Sequence, residues 1–327
     1  MDSKKRIIYH IPVVLIMILL LSGCNGTEEL LLYSGSSSAG DISSFAADST
    51  LYTASAFSTD KCIIPESEVG QNVDKNITAS GALHVDITDG KMLYANGIYD
   101  RLEPASLTKL ATAIVCLKYG NMSDTVTISH EAANLNVPGA KLCFLQEGDV
   151  INFETLLTSF LVYSGNDAGV ALAEHISGSE EKFVELMNSE LKKIGCADTN
   201  FVNPHGLPAE NHYTTVYDIY LMLNELSKNE KFLEITSLAS YTANFKDKNG
   251  REITKVYEST DKYLTGEQKL PKGVKVLAGK TGTTSAAGYC LTVLSERKTG
   301  HRYISVVMKA SSSESLYSQM SKLLKIK

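Results

Sequence analysis

The sequence has no block of basic residues, and this absence argues against one class of function, the binding of nucleic acid. Its 31 Lys and Arg residues are outnumbered by 37 Asp and Glu, which gives a formal net charge of -6. Proteins that bind nucleic acid need clustered positive charge, so we expect no nucleic-acid partner. With 327 residues the chain is long enough for one large domain or two small ones.

The spacings that bind metals are missing as well. None of the seven histidines belongs to an H-E-x-x-H pattern, and the six cysteines include no C-x-x-C pair. We therefore predict no metal and no cofactor. Cys116 and Cys290 lie in apolar runs, which predicts that they pack as small hydrophobic side chains. A disulfide among three others is left open: Cys62, Cys143 and Cys196.

The apolar run at the N-terminus, residues 11–21, is too short to span a bilayer comfortably. It follows the basic cluster Lys4-Lys5-Arg6 and ends at Leu21-Ser22-Gly23-Cys24. This pattern resembles a bacterial lipoprotein signal, in which the chain is cleaved before the cysteine and the cysteine is acylated. We predict that residues 1–23 are a signal peptide and that Cys24 carries lipid. An ordinary signal peptide and an uncleaved anchor are the alternatives.

The chain after Cys24 changes character near residue 80. Residues 24–80 show little periodicity and include the Ser- and Gly-rich stretch 34–40, which is typical of a flexible linker. We interpret residues 81–327 as the folded domain. The protein would then be tethered by its lipid to the outer face of a bacterial cell membrane.

The sequence pattern of the folded region predicts strands at both of its ends and helices in between. Asp89-Gly90 is a hairpin turn between two short strand patterns. We expect helices over 153–163, 167–176, 215–227 and 314–326, a further helix capped by Ser179, and strands over 270–277, 289–294 and 303–308. This order favours an α+β domain whose first and last segments share one sheet.

Ser106 and Lys109 open one of the helical patterns, which ends at Gly120. Three residues apart, they share a helix face. A serine needs a base within hydrogen-bond reach to become a nucleophile, and a lysine can be that base when burial or a second cation lowers its pKa. The pair is therefore a candidate nucleophile and general base.

Two later stretches complete a recognisable set. Ser164-Gly165-Asn166 lies between two helical patterns, and Lys280-Thr281-Gly282-Thr283 follows a strand pattern. S-x-x-K, S-x-N and K-T-G in this order are the signature of penicillin-binding proteins and serine β-lactamases. From about Ala82 onward the chain resembles the low-molecular-weight penicillin-binding proteins, which are serine D-Ala-D-Ala carboxypeptidases. The stretches 201–207 and 286–291 also resemble that family.

The resemblance implies a fold and roles for the motif residues. The fold is an antiparallel sheet flanked by helices, with a helical subdomain. Ser106 would attack the carbonyl between two terminal D-alanines, Lys109 would take its proton, Ser164 would relay a proton to the leaving amine, and Asn166 would line the site. Asn203 is kept outside the catalytic set, because its stretch could be a turn that packs the helical region.

The K-T-G stretch is implied to bind the substrate. Lys280, Thr281, Gly282 and Thr283 would line the substrate site, with Lys280 and the threonines holding the terminal carboxylate. The backbone N–H groups of Ser106 and Thr283 would form the oxyanion hole. Family members often carry an arginine after the last strand, and this chain has none there. Carboxylate binding would then fall to Lys280 and the threonines, or to Lys309.

The implied partners are a peptidoglycan stem peptide ending in D-Ala-D-Ala and β-lactam antibiotics as inhibitors. Two alternatives remain. A class A β-lactamase would need a glutamate that activates water, and no Glu-x-x-Leu-Asn pattern lies between Asn166 and Lys280. A non-catalytic wall-binding lipoprotein would need a lost catalytic residue, and the motif residues are all present.

Overall fold

The structure is a computed structural model that describes residues 76–326. The expected signal peptide, Cys24 and nearly all of the expected linker lie outside these residues. No helix within the described range is both long and apolar enough to cross a membrane.

Strands lie at both ends of the described chain, on either side of a largely helical middle, as the sequence predicts. The strands are β1 (Gly81–Asp86), β2 (Lys91–Asn96), β3 (Thr125–Thr127), β4 (Val150–Asn152), β5 (Ser240–Lys246), β6 (Glu252–Glu258), β7 (Val274–Thr284), β8 (Gly288–Arg297) and β9 (Arg302–Ala310). The helices are α1 (Lys109–Tyr119), α2 (His130–Ala133), α3 (Phe153–Tyr163), α4 (Asn166–Ser177), α5 (Glu180–Lys193), α6 (Val216–Leu226), α7 (Glu230–Thr236), α8 (Lys262–Thr265) and α9 (Ser313–Leu323).

The main sheet joins the two ends of the described chain, as predicted. Its five strands are antiparallel in the order β2-β1-β9-β8-β7. β1 pairs with β9 along its whole length, with Ala82 opposite Val307. Every residue of β1 is buried. α9 packs against β9 and β8, while α6 packs against β1, β9 and β8. The sheet is therefore covered by helices, which explains the nearly continuous apolar sequence of its central strands.

Three helices of the helical region, α3, α5 and α6, begin at strong N-cap residues. The Asn152 side chain accepts hydrogen bonds from the backbone N–H groups at the start of α3. Ser179 and Thr215 cap α5 and α6 in the same way. The predicted helices over 153–163 and 215–227 and the cap at Ser179 are therefore confirmed. Cys116, Cys143, Cys196 and Cys290 are all buried free thiols.

The structure departs from the sequence prediction in three elements. A second sheet with strand order β3-β4-β5-β6 includes a hairpin, β5–β6, that we did not predict. The expected strand at 270–277 begins only at Val274, after Pro271 and Gly273. It also continues to Thr284, so the K-T-G stretch is part of β7 and does not follow it. Finally, Ser106 lies in a 3-10 turn, Ala105–Thr108, that precedes α1.

Candidate active site

The turn that carries Ser106 has an unusual backbone. Ala105 has a φ of +47°, a left-handed conformation that is uncommon for residues other than glycine. The Leu107 N–H donates to the Pro104 carbonyl (3.1 Å), and the Thr108 hydroxyl donates to the Ala105 carbonyl (2.9 Å). These bonds hold a strained residue directly before the serine, which is where strain is often found in functional sites.

Lys109 is completely buried and makes three contacts through its amine. Its Nζ lies 3.0 Å from Ser106 Oγ, 2.7 Å from Asn166 Oδ1 and 2.6 Å from the His205 carbonyl oxygen. The last two atoms can only accept hydrogen bonds. A neutral amine has two N–H groups and one lone pair, so both N–H groups are used and the lone pair faces the serine hydroxyl. Burial, and then the nearby charge of Lys280, hold the pKa of Lys109 well below its usual value.

Ser164 faces a second buried lysine. It ends α3 in the left-handed conformation, with a φ of +72°. Lys280 Nζ donates to Ser164 Oγ (3.0 Å) and to the Thr281 carbonyl (3.0 Å). Burial, and then the positive charge of Lys141, lower the pKa of Lys280 to about 7, while Asp261 acts in the opposite direction. Two Ser–Lys pairs therefore face the same site.

The S-x-N stretch is fixed by a loop that the sequence analysis did not connect with it. The Asn166 N–H donates to the Lys141 carbonyl (2.7 Å). The buried carboxylate of Asp167 accepts hydrogen bonds from the N–H groups of Cys143 (2.8 Å) and Leu145 (3.1 Å). Gly165 is required here, since a Cβ would lie 2.3 Å from the Cys143 sulfur. Nothing in the sequence points to this pairing of distant segments.

The K-T-G strand lies directly against the nucleophile turn. A Cβ on Gly282 would lie 3.0 Å from both the Pro104 carbonyl oxygen and the Ser106 nitrogen, so glycine permits the close approach. The Thr281 hydroxyl contacts the Thr260 hydroxyl at 2.5 Å. Thr283 is exposed at the mouth of the site.

The stretch 201–207 supports the turn from its other side. Gly206 has a φ of +89° and lies so close that a Cβ would be 1.9 Å from the Ala105 carbonyl oxygen. Asn203 Oδ1 accepts from the Gly206 N–H (2.7 Å) and the His205 N–H (3.3 Å). Asn203 therefore shapes the turn that presents the His205 carbonyl to Lys109, which fits its omission from the catalytic set.

These elements enclose a cleft of about 250 Å³ beside Ser106. It is lined by Ser106, Lys141, Ser164, Thr260, Lys262, Thr281, Gly282, Thr283, Tyr289, Ser313, Leu316 and Tyr317. Tyr289 lies in the stretch 286–291 that resembles the family, whereas six lining residues belong to no motif and were not predicted: Lys141, Thr260, Lys262, Ser313, Leu316 and Tyr317. Lys309, one of the residues considered for carboxylate binding, is exposed on β9 and is not part of this lining.

Comparison with known proteins agrees with this geometry. The family model for D-alanyl-D-alanine carboxypeptidases, peptidase S11, matches residues 67–312. The chain is 37% identical to the D-alanyl-D-alanine carboxypeptidase DacF of Bacillus subtilis. The matched region of 254 residues covers 75% of this chain and 61% of DacF. The chain is 32% identical to the D-alanyl-D-alanine carboxypeptidase DacC of Escherichia coli. Here the matched region of 257 residues covers 76% of this chain and 61% of DacC. The chain therefore matches less than two thirds of the length of these relatives.

Solved structures give the same family. A Streptomyces K15 DD-transpeptidase variant matches with a TM-score of 0.71 and 26% identity, over 76% of this chain and 97% of the other. Penicillin-binding protein 5 of Haemophilus influenzae matches with a TM-score of 0.67 and 33% identity, over 76% of this chain and 70% of the other. The α+β fold is thus that of the penicillin-binding proteins. Since the family model matches about three quarters of the sequence, the chain belongs to the D-alanyl-D-alanine carboxypeptidase family of serine peptidases.

Proposed function

We propose that this protein is a serine D-Ala-D-Ala carboxypeptidase that removes the terminal D-alanine from peptidoglycan stem peptides. The observation that carries the proposal is the surroundings of Lys109. Its Nζ has two fixed acceptors and lies 3.0 Å from Ser106 Oγ, so the neutral amine directs its lone pair at the serine proton. That is the arrangement a general base requires.

In the acylation step Ser106 Oγ attacks the carbonyl carbon between the two D-alanines, and its proton passes to Lys109 Nζ. The backbone N–H groups of Ser106 and Thr283 stabilise the oxyanion that forms. The C–N bond then breaks as Ser164 gives its proton to the leaving amine and is reprotonated by Lys280, 3.0 Å away. Before the next cycle Lys109 loses the proton it took from Ser106 to solvent and Lys280 regains one from solvent, so the protons balance. D-Alanine leaves, and water hydrolyses the ester on Ser106 to release the shortened peptide.

A penicillin enters by the same steps, because its strained amide and its carboxylate resemble the peptide end. No glutamate is among the cleft-lining residues of the described chain, so the site offers no glutamate to activate water as a class A β-lactamase does. We expect a long-lived penicilloyl ester on Ser106.

The test combines two assays on the purified protein. D-Alanine release from diacetyl-Lys-D-Ala-D-Ala is measured beside labelling by a fluorescent penicillin. Ser106→Ala abolishes both activities, and Lys109→Ala slows acylation by about 10²–10⁴-fold, the usual contribution of a positioned base. Ser237→Ala, at an exposed serine that does not line the cleft, is the control.

The alternatives predict different results in the same assays. A β-lactamase would turn over penicillin quickly without releasing D-alanine from the peptide. A non-catalytic wall-binding lipoprotein would form no adduct. Either result would overturn the proposed function.

We propose further that the mature protein begins at an acylated Cys24, with residues 24–80 as a linker and 81–327 as the catalytic domain at the outer face of the membrane. The support is the sequence pattern at 21–24. Mass spectrometry of the mature N-terminus tests this. Cys24→Ala should release the protein or stall its processing, and a different mature N-terminus would refute the proposal.

A further inference from the structure

A carboxypeptidase differs from other peptidases in that its substrate ends in a free carboxylate beside the scissile bond. The site must therefore offer a cation near the leaving residue. Lys109 and Lys280 are at most 2% exposed. Lys109 directs its amine at Ser106, Asn166 and His205, and Lys280 directs two donors at Ser164 and Thr281. Among the described residues, the other cations lining the cleft are Lys141 and Lys262.

These two lysines lie on different sides of the cleft. Lys141 belongs to the side of Ser164: its carbonyl accepts from the Asn166 N–H, and its Nζ lies 4.0 Å from the centroid of the Tyr163 ring. Lys262 belongs to the side of β7. It follows Thr260, whose hydroxyl contacts that of Thr281 at 2.5 Å.

The position of the leaving D-alanine indicates which of the two lysines, Lys141 or Lys262, lies nearer to its carboxylate. Its amine must lie near Ser164 Oγ to receive a proton. Its carboxylate lies two bonds further on, and the family resemblance implies that Thr281 helps to hold it. Thr260 and Lys262 border the cleft on that side.

We propose that Lys262 determines specificity for the free carboxylate of the substrate, an inference that rests on the proposed carboxypeptidase function. Its backbone is fixed while its side chain is available. The Lys262 N–H donates to the Tyr317 hydroxyl (2.9 Å), and Asp261 caps the short helix by accepting from the Tyr263 N–H (2.9 Å).

The amine of Lys262 is positioned by packing and not by an acidic partner. Its Nζ lies 5.9 Å from the centroid of the Tyr317 ring, which also lines the cleft. Within the described residues Lys262 forms no ion pair, and its side chain is partly exposed. A partly exposed ammonium held at the wall of a cleft is suited to bind a carboxylate.

The test pairs two substrates with several variants of the full chain. Diacetyl-Lys-D-Ala-D-Ala has a free carboxylate, and diacetyl-Lys-D-Ala-D-alaninamide has the same shape without the charge. Lys262→Ala should lower kcat/KM for the acid by about 10- to 100-fold, the usual range for a lost charged hydrogen bond, mainly through KM. It should leave kcat/KM for the amide within about twofold. Lys262→Arg should restore most of the activity toward the acid, because it restores the charge.

Control variants separate the possible outcomes. Lys272→Ala, a lysine outside the cleft, should behave as wild type. Equal losses on both substrates in Lys262→Ala would indicate a structural role and overturn the inference. An acid-specific loss in Lys141→Met but not in Lys262→Ala would assign the carboxylate to Lys141 and also overturn it. A wild-type protein that releases D-alanine from neither peptide would refute the proposed function itself and this inference with it.

Discussion

At the scale of single residues, the site depends on lysines that lie close together with little solvent between them. Lys109 and Lys280 are buried, and Lys141 at the cleft wall adds its charge to both. A buried ammonium is costly, and each neighbouring cation raises that cost. The cluster therefore favours the neutral amine at Lys109, which is the form that can accept the proton of Ser106.

Lys141→Met tests this electrostatic argument. Removing the Lys141 charge should raise the pKa of Lys109, since that charge lowers it in the wild type. Because Lys109 must be neutral to act as a base, the acidic limb of the pH profile for penicillin acylation should move to higher pH. The variant should be slower than wild type at low pH and similar at high pH.

The matched control is Lys298→Met, a lysine that lines a different cavity. A Lys141→Met profile that coincides with that of wild type would contradict the electrostatic role. A loss of rate that is the same at every pH would instead indicate a contact with the ligand.

The buried carboxyl group of Asp261 should make the stability of the protein depend on pH. Its Oδ2 has no hydrogen-bond partner, and burial raises its pKa to about 6, against the effect of its bonds to Tyr263 and Tyr317 and of Lys280. The folded state therefore binds a proton more tightly than the unfolded state, so this group lowers stability as the pH rises from about 4 through about 6. Asp261→Asn removes the effect.

The expected result is a difference in melting temperature that depends on pH. Tm of Asp261→Asn minus Tm of wild type should be larger at pH 7.5 than at pH 4.5. Two pKa units correspond to a change of about 3 kcal/mol at most in the free energy of unfolding. Asp100→Asn, an exposed site, provides the baseline. A difference that stays constant with pH would show that Asp261 has the same pKa in the folded and the unfolded protein, against our argument.

At the scale of elements, the nucleophile turn is held between two glycines. Gly206 approaches it from the 201–207 loop and Gly282 approaches it from β7. Both contacts are with backbone atoms of the turn, so no side-chain rearrangement can relieve an added methyl group. The position of Ser106 is therefore set by elements distant in sequence, and a shift of about 1 Å in such a position can cost about 100-fold in rate.

Gly206→Ala and Gly250→Ala form a matched pair at this scale. Both glycines have a left-handed backbone, with φ of +89° and +79°, so both substitutions carry a conformational cost of about 1–2 kcal/mol. Only at Gly206 would the Cβ meet another atom, the Ala105 carbonyl oxygen. Gly206→Ala should slow penicillin acylation by about 100-fold, while Gly250→Ala should acylate normally.

Gly282→Ala serves as a milder second variant, since its closest contacts would be at 3.0 Å. It should acylate at a rate between those of wild type and Gly206→Ala. Normal acylation in a folded Gly206→Ala protein would show that the turn tolerates displacement, against our argument.

At the scale of the whole molecule, buried histidines in separate parts of the fold make its stability depend on pH. His84, in the main sheet, contacts Ser305 Oγ through Nδ1 (2.8 Å) and stacks on Tyr303. His212, beneath the nucleophile turn, accepts from the Val202 N–H through Nδ1 and contacts the Thr108 hydroxyl through Nε2. Since that hydroxyl donates to Ala105, His212 Nε2 must carry the proton.

These histidines should make the fold sensitive to mild acid. Burial lowers the pKa of His84 and of His212 to about 4, and holds the pKa of His205 well below its usual value. The unfolded chain binds protons below about pH 6.5 and the folded chain does not, so stability is lost as the pH falls. His84 and His212 should each cost about 2 kcal/mol at pH 5 relative to pH 7, and Asp261 offsets part of this loss.

The measurement is Tm between pH 7 and pH 5. Wild type should lose stability over this range, and His84→Phe, which keeps the stacking on Tyr303, should lose less. His130→Gln is a control of opposite sign: the hydrogen bond with Glu147 raises the pKa of His130, so this variant should lose more stability than wild type as the pH falls. The idea fails if wild type and His84→Phe show the same dependence on pH.

The sequence by itself determined the chemistry, because the residues that carry it are local patterns. Ser106 and Lys109 share one turn whatever surrounds them, and the N-caps Asn152, Ser179 and Thr215 act on their own helices. The motif order and the strands at both ends likewise predicted one α+β domain of this family. These features depend on neighbours within a few residues, which a sequence displays directly.

The tertiary structure alone decided what surrounds those residues. Lys109 finds its two other acceptors 57 and 96 positions away, and one of them is a backbone carbonyl, which leaves no trace in residue identity. Thr260, Lys262 and Tyr317 reach the cleft only because residues 260–262 contact both β7, through Thr281, and α9, through Tyr317. Sequence patterns record the periodicity of one element, whereas these contacts depend on how separate elements meet, and the distances between elements are fixed only by packing.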